Sequence, residues 1–348
     1  MPKLIVELKQ NTPMIHFQAE ESGATLRATA VKPALDKFLI SSLGLEKTRP
    51  WMHDTTDRSL DYRMTFQTNP NEKDKCKENY ELKKGKPYFG TSKGVLNKEP
   101  ITMTIISEQE GVINAIKESI KDFFILNNFG VRGTKGYGSF QVYSIDGEKP
   151  VSYSDYDVIK AVNSMPEKYE TSVYKLKHQF NNGWQLALEE INKTYSQMKS
   201  GKDSPSLLSN YGKKQGLSGE KQWIKQNFAD PEEARFLRAM LGLTGAYKFK
   251  YSRTISVKDS ESSIERFASP IIFKPLNLGG NLCIYILLRK IPSEMFGHKF
   301  TFYDKNNGYK PHCLSTPKKE EFSLIDFMKY YVEEEKKEGL IERLNVVR

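Results

Sequence analysis

The sequence predicts an α+β fold in two parts: a βαββαβ unit of ferredoxin-like type over residues 1–150, then an α+β domain with a helical insertion over residues 151–348. Three observations carry this. The chain has 348 residues, and at roughly 150 residues per domain that implies two domains. The first 145 residues alternate between strand and helix periodicity in the order β-α-β-β-α-β. Beyond about residue 150 the pattern turns mostly helical before strands return. Hydrophobic residues make up 38%, charged residues 28% and aromatics 11%, a composition that excludes wholesale disorder and supplies enough core to dispense with a disulfide or metal staple.

The elements follow in order. Residues 4–8 are β-branched and apolar and form a strand. Thr12-Pro13 and residues 20–23 read as turns. Residues 31–43 place Ala34, Leu35, Phe38, Leu39 and Leu43 at helical spacing, with Pro33 in the first turn, where its missing N–H costs nothing. Residues 60–66 alternate Leu60, Tyr62, Met64 and Phe66 as a strand does, and the lysine-rich stretch 69–86 reads as a loop. Residues 101–106 form the next strand. Residues 109–126 form an amphipathic helix through Val112, Ile113, Ile116, Ile120, Phe123 and Phe124. A glycine-rich loop leads to the last strand, 139–145.

In the second part, residues 153–198 read as mostly helical. Residues 199–219 are rich in Gly, Ser and Lys and read as a linker. Pro231 opens a short helix over 231–243. Strands are expected at 251–257, 271–276 and 282–289, with Leu278-Gly279-Gly280-Asn281 as a hairpin turn. A final helix covers 322–336. Its charged end, 333–338, reads as a solvated face with i,i+4 pairs such as Glu333–Lys337, or as a subunit contact. Trp184 and Trp223 sit on helices and read as core.

Composition also narrows function. Lys+Arg number 53 against 43 Asp+Glu, a formal net charge of +10, which attracts polyanions. Cys76, Cys283 and Cys313 are odd in number and make no CxxC pair, against a zinc ribbon or disulfide scaffold. There is no run of 18 apolar residues and no secretory h-region, so the expected setting is a reducing cytoplasm, with no membrane partner.

The segment richest in chemistry is Asn128-Phe129-Gly130-Val131-Arg132-Gly133-Thr134-Lys135-Gly136-Tyr137-Gly138. Glycines let a partner backbone approach, and loop amides can form a nest for phosphate oxygens. Arg132 and Lys135 add charge, and Tyr137 offers a face for base stacking. The plain alternative is a structural helix-to-strand turn. This segment resembles the glycine-rich loop of the RAMP superfamily, the RNA-binding proteins of CRISPR systems. There Gly-hydrophobic-Gly is followed by five variable residues and Gly-hydrophobic-Gly. Asn128 stands at the first glycine and also tolerates the left-handed region. Residues 26–35, with Arg27 and Lys32, resemble the stretch that opens the first helix in the same superfamily, where amides at a helix start can hold phosphate. The alternative there is solvated surface cations. Residues 264–275 resemble the Arg-x-Ala-Ser-Pro-hydrophobic-x-x-Lys-Pro stretch of the first subunit of the Cmr (type III-B) effector complex.

The resemblance implies two ferredoxin-like domains and a non-catalytic subunit that holds the 3′ end of the guide RNA and helps capture target RNA, in contact with other Cmr subunits. The RNA-binding set it implies is Arg27, Lys32, Arg132, Gly133, Thr134, Lys135, Gly136, Tyr137, Arg253, Arg266 and Lys274. For Arg266 and Lys274 the alternative is a strand with outward cations. No cofactor, metal, catalytic residue or small-molecule substrate is expected. Three other readings stay open. One is a metal-independent endoribonuclease processing precursor RNA, with His16 as base; another is a scaffold whose basic face meets an acidic neighbour; the third is another end-capping RAMP subunit of a type III complex. His53 with Asp54, Asp57 and Asp61 reads as a solvated acidic loop rather than a metal site.

Overall fold

A computed structural model describes residues 1–15, 25–52, 58–68, 77–81, 93–181, 183–201, 205–228, 233–248, 254–261, 263–264, 266–304, 308, 310–335 and 341–344. The chain divides into two units. Unit 1 is 1–189 with 273–287 and 343–348, and unit 2 is 190–272 with 288–342.

In unit 1, β1 (Lys3–Gln10), β2 (Met14–Ile15), α1 (Ala28–Leu43), α2 (Leu45–Thr48), β3 (Arg63–Gln67), β4 (Lys77–Glu81), β5 (Lys93–Asn97), β6 (Ile101–Ile106), α3 (Glu110–Leu126) and β7 (Phe140–Ile145) follow in turn. The main sheet has the order β3-β6-β1-β7. Central β1 pairs antiparallel on both sides, Val6 facing Met103 of β6 and Ile145 of β7. Leu4, Val6 and Leu8 are fully buried on one face, as the period of two requires. Val112, Ile116, Ile120 and Phe123 of α3 are likewise fully buried. A second, three-stranded sheet runs β2-β5-β4.

Two expectations change here. Helix α1 starts at Ala28, so Pro33 lies inside it rather than in the first turn. The bond it cannot donate would go to Thr29, whose exposed position lets water serve that carbonyl. The stretch 69–86, read as a loop, contains β4, whose polar sequence pairs in full with β5, Lys77 to Asn97 through Glu81 to Lys93.

Unit 1 continues with α4 (Asp155–Asn163), β8 (Tyr169–Leu176) and β9 (Phe180–Asn181). A capping box fixes the start of α4: Ser154 N donates to Asp157 Oδ2 at 2.8 Å, and Asp157 N donates back to Ser154 Oγ at 3.4 Å. Strand β8 interrupts the expected helix. Its end, Val173 to Leu176, is buried on both faces, so the alternation that marks a strand is missing. A further sheet has the order β14-β15-β8-β18, with β9 beside β15, from β14 (Ile271–Leu278), β15 (Asn281–Arg289) and β18 (Ile341–Leu344). The β14–β15 turn takes positive φ at Gly279 (59°) and Gly280 (94°), as the Gly-Gly pair requires.

Helix α5 (Trp184–Lys199) leads into unit 2, which holds α6 (Leu207–Lys214), β10 (Ser218–Gly219), α7 (Glu220–Lys225), β11 (Ala234–Arg235), β12 (Ala246–Lys248), β13 (Thr254–Asp259), β16 (Lys299–Asp304), β17 (Pro311–Ser315) and α8 (Leu324–Glu335). The expected linker 199–219 therefore contains a helix, capped by the Ser206 hydroxyl accepting from Ser209 N at 3.2 Å. Where a helix was expected over 231–243, the described residues form β11 and a 3-10 turn, Leu237–Leu241. The sheet β12-β13-β16-β17 packs an aromatic core of Trp223, Phe228, Phe236, Phe300 and Phe302. Trp223 meets Phe228 edge-on at 4.9 Å and Phe302 at 5.4 Å. No helix among the described residues is long and apolar enough to cross a membrane.

Asp259 pins the end of β13. Its carboxylate accepts from Glu261 N at 2.9 Å, from Ile264 N, and from His298 Nε2 at 2.6 Å. Burial raises the carboxyl's pKa, but the Glu261 and Ile264 amides and His298 outweigh that and hold it well below the ordinary range. A carboxyl with a depressed folded-state pKa stabilises above its unfolded value, near about 4, and that stability is lost as pH falls. Urea unfolding from pH 6 to pH 2 should show this loss, and Asp259→Asn should lower stability at pH 6 and flatten the acid limb.

Candidate nucleic-acid interface

The glycine loop, 128–138, is built from inside. Phe129 is 6% exposed and packs against Phe124 at 5.8 Å, Phe123 at 6.0 Å and Phe140 at 6.2 Å, anchoring the loop in the core of unit 1. Gly130 and Gly138 take φ of 82° and 63°. A Cβ on Gly138 would lie 1.8 Å from the Phe129 carbonyl oxygen, and one on Gly130 would lie 2.7 Å from that of Ile15. These two glycines serve close packing within the fold, the plain reading of the motif.

Many loop amides are already donors. Phe129 N bonds Gly138 O at 2.9 Å, Val131 N bonds Ile15 O at 3.0 Å, and Gly138 N bonds Pro13 O at 2.9 Å. Lys135 N bonds Arg132 O at 2.8 Å, and Gly136 N bonds Gly133 O at 3.1 Å. The expected phosphate nest is thus largely spent on the fold itself. Thr134 O accepts from Phe273 N at 3.1 Å, drawing β14 against the loop.

Lys274 departs furthest from expectation. It is fully buried, so it is no outward cation. Its Nζ donates to Asn127 O at 2.9 Å, Asn128 Oδ1 at 3.1 Å and Phe140 O at 3.1 Å. Burial pushes the ammonium well below its ordinary pKa, and three oxygen acceptors, one for each N–H, oppose that. Asn128 completes the brace: its Nδ2 donates to Gly133 O at 2.7 Å and Phe273 O at 2.9 Å. Asn128 bridges Ser139 in antiparallel fashion and is not in the left-handed region. A side-chain amide with two acceptors to serve, not a permissive backbone, explains asparagine at this position.

Two more expectations are corrected. Tyr137 is 4% exposed, and the Arg132 guanidinium lies 5.1 Å over its ring, so its face is not offered to a base. Lys32 Nζ donates to Asp36 Oδ2 at 2.9 Å, Ser59 Oγ at 3.1 Å and Leu60 O at 2.7 Å, which uses all three of its N–H groups inside unit 1. Lys135 Nζ is buried. Arg132 and Arg27 are half-buried, and Arg266 is exposed in unit 2. Arg253, His16, His53, Asp54 and Asp57 lie outside the described residues.

What the fold does bring together is the glycine loop and the start of α1. Thr12 Oγ1 donates to Gly136 O at 2.6 Å, and Gln10 Nε2 donates to Thr12 O at 3.0 Å. Gln10 Oε1 accepts from Asn97 Nδ2 at 2.9 Å, and that amide also donates to Thr25 Oγ1 at 3.3 Å. Thr25 lies two residues before Arg27, the N-cap of α1. This helix start has no capping side chain and no acidic residue in its first turn, so its positive end is unneutralised by its own sequence. Beside the relay opens a groove of about 320 Å³, lined by Lys9, Gln10, Asn97, Lys98, Trp184 and Asn277 among others. Trp184, read as core, is half-exposed and walls this groove. Helical spacing alone cannot tell a core tryptophan from one at a groove's edge. Among the described residues, no three His, Cys, Asp or Glu gather as a metal site would require.

Substitutions separate the roles of these residues. Gly138→Ala should destabilise by at least about 2 kcal/mol through clash and backbone strain. Gly147→Ala, at φ 74° with nothing within 4 Å of its Cβ, should cost only about 1 kcal/mol. Lys274→Met strands three buried acceptors and should cost about 2–4 kcal/mol. Denaturant titration of the three variants checks all of these values.

Comparison with known proteins now bears on this geometry. The profile of the Cmr1 N-terminal domain matches residues 1–202, and that of the Cmr1 C-terminal domain matches residues 203–344. Comparison with curated proteins finds no significant match. Among solved structures, apo Cmr1 from Pyrococcus furiosus is similar over 99% of this chain and 98% of its own, at 12% identity and TM-score 0.53. A chain of a type III-B Cmr-beta assembly bound to cognate target RNA aligns with 41% of this chain and 59% of its own, at 13% identity and TM-score 0.28, too low to carry an argument. The fold agrees with the Pyrococcus protein, and with both domain profiles matched along nearly its whole length, the chain belongs to the Cmr1 family.

Proposed function

We propose that this chain is a non-catalytic RNA-binding subunit of a type III-B CRISPR effector complex, seated near the 3′ end of the guide RNA and helping to capture target RNA beside other Cmr subunits. Membership of the Cmr1 family supports this reading. One observation carries it: the glycine loop and the start of α1 are joined by the Thr12–Gln10–Asn97–Thr25 relay. The two stretches that resemble RAMP proteins are thereby linked within unit 1, and we read them as one surface.

On that surface the uncapped start of α1 and Arg27 receive a backbone phosphate, and Arg132 a second. The groove alongside offers exposed Lys9 and Lys98 for the strand and Trp184 for a base. Buried Lys274 and Tyr137, with half-buried Lys135 and Lys32, hold the surface in shape rather than touching RNA. Sequence is read by pairing between guide and target, not by this chain.

The architecture fits the same proposal. Strands β1, β3, β6 and β7 lie in the order β3-β6-β1-β7, and β8, β14, β15 and β18 in the order β14-β15-β8-β18. Each runs second, third, first, fourth in chain order, with α1 and α3, or α5 and α8, falling in the crossovers. We read these as two copies of the ferredoxin-like plan. The first ends near residue 150, and a long insertion lies between α5 and β14 of the second.

RNA binding at several salt concentrations tests the reading. Arg27→Ala with Arg132→Ala should weaken binding and reduce the salt slope by about one per lost phosphate contact. Trp184→Ala should cost about 1–3 kcal/mol with the slope unchanged. Unaltered affinity and slope in both variants would remove this surface from the interface. Site-specific cleavage of the bound RNA by the wild-type chain would overturn its non-catalytic role.

A further inference from the structure

The groove beside the relay in unit 1 is lined in part by Asn97, which is 5% exposed. The relay holds this side chain in one orientation. Its Nδ2 spends one N–H on Gln10 Oε1 at 2.9 Å and the other on Thr25 Oγ1 at 3.3 Å. Gln10 is fixed in turn. Its Nε2 donates to the carbonyls of Thr12, at 3.0 Å, and Val95, at 2.6 Å, and its Oε1 also accepts from Asn97 N at 2.9 Å. Turning the Asn97 amide over would set its oxygen against Gln10 Oε1, acceptor against acceptor, so the network settles which end is oxygen.

That leaves one group unused. Among the described residues, Asn97 Oδ1 accepts no hydrogen bond. An acceptor left unpaired on a largely buried residue costs free energy. On the wall of a groove it marks where an occupant's donor belongs. The groove, about 320 Å³, also has apolar walls at Leu96, Phe180 and Leu282, and exposed Lys9 and Lys98 line it as well. It therefore suits a ligand with a small, partly apolar body, a hydrogen-bond donor and negative charge next to it. A nucleotide within a single strand has all three.

The donors of such a strand differ in kind. Phosphodiesters have none, and base N–H groups change place with the identity of the base. The 2′-hydroxyl stands at the same place on every ribonucleotide and is missing from DNA. Resting on the RNA-binding reading above, we propose that Asn97 Oδ1 accepts the 2′-hydroxyl of one ribonucleotide seated in this groove, so that the chain prefers RNA to DNA. The sugar is read without regard to the base, in keeping with recognition of sequence by pairing.

Fluorescence anisotropy of the full chain with uridine and adenosine homo-oligomers, each as all-ribose and all-2′-fluoro strands, tests this. A 2′-fluorine keeps the sugar pucker of RNA but cannot donate. Fluorination should weaken binding about 2- to 12-fold, alike in both base series. Asn97→Leu removes the acceptor at similar size, and in that variant the ribose and fluoro strands should bind alike, the coupling expected of direct contact. Should Asn97→Leu not fold, Leu96→Trp, which fills the groove and leaves the relay whole, should abolish the preference in the same way. Arg27→Ala with Arg132→Ala should weaken both sugars equally and keep their ratio, so the phosphate contacts and the hydroxyl site are told apart. Equal binding of ribose and fluoro strands by the wild type would overturn the proposal and leave the RNA-binding reading standing. A fluorination loss that persists in the folded variants, or that is confined to one base series, would also overturn it. Failure of every strand to bind would overturn both.

Discussion

A buried lysine is the constraint on which the candidate interface depends. Lys274 gives up the hydration of an ammonium, and it persists in the interior because three oxygens receive its three donors. Two of them belong to Asn127 and Asn128 at the entrance of the glycine loop, and the third to Phe140 at the exit. One side chain from β14 therefore closes the loop's base. Phe129 fills the space above it, and Gly130 and Gly138 let the chain pass where no Cβ fits. These bonds and contacts brace the loop that carries Arg132.

The same logic links the loop to α1. Gln10 donates through Nε2 and accepts at Oε1, and the Asn97 Nδ2 carries two N–H donors, one for Gln10 and one for Thr25, so each amide passes the relay onward. Buried polar networks tolerate no missing member, and this one runs from Gly136 to Thr25 within unit 1.

Much of the fold was legible in the residues. The alternation in 101–106 and the apolar spacing of 109–126 return as β6 and α3 within a residue, because a sheet face and a helix stripe buried on one side leave a clean period. The Gly279-Gly280 pair marked its hairpin because both residues need positive φ. Strand β8 was hidden, since burial on both faces erases alternation. Strand β4 was hidden because its sequence is polar, and its pairing with β5 makes it a strand. The motifs that mark the family were also legible, down to Phe129 and the glycine spacing.

The sequence alone determined which segments carry the chemistry: the glycine loop, the start of α1 and the stretch around Lys274. Their residue types and spacing are local properties of the chain. Only the tertiary structure decided what each cation does. A lysine can be solvated, stacked or buried with equal ease from the viewpoint of its neighbours in sequence. Whether Lys32 and Lys274 face solvent or oxygen acceptors depends on residues far away along the chain, Ser59 and Leu60 for one and Asn127, Asn128 and Phe140 for the other. The distant partners of Lys274, not its local sequence, turned an expected RNA contact into the brace beneath one.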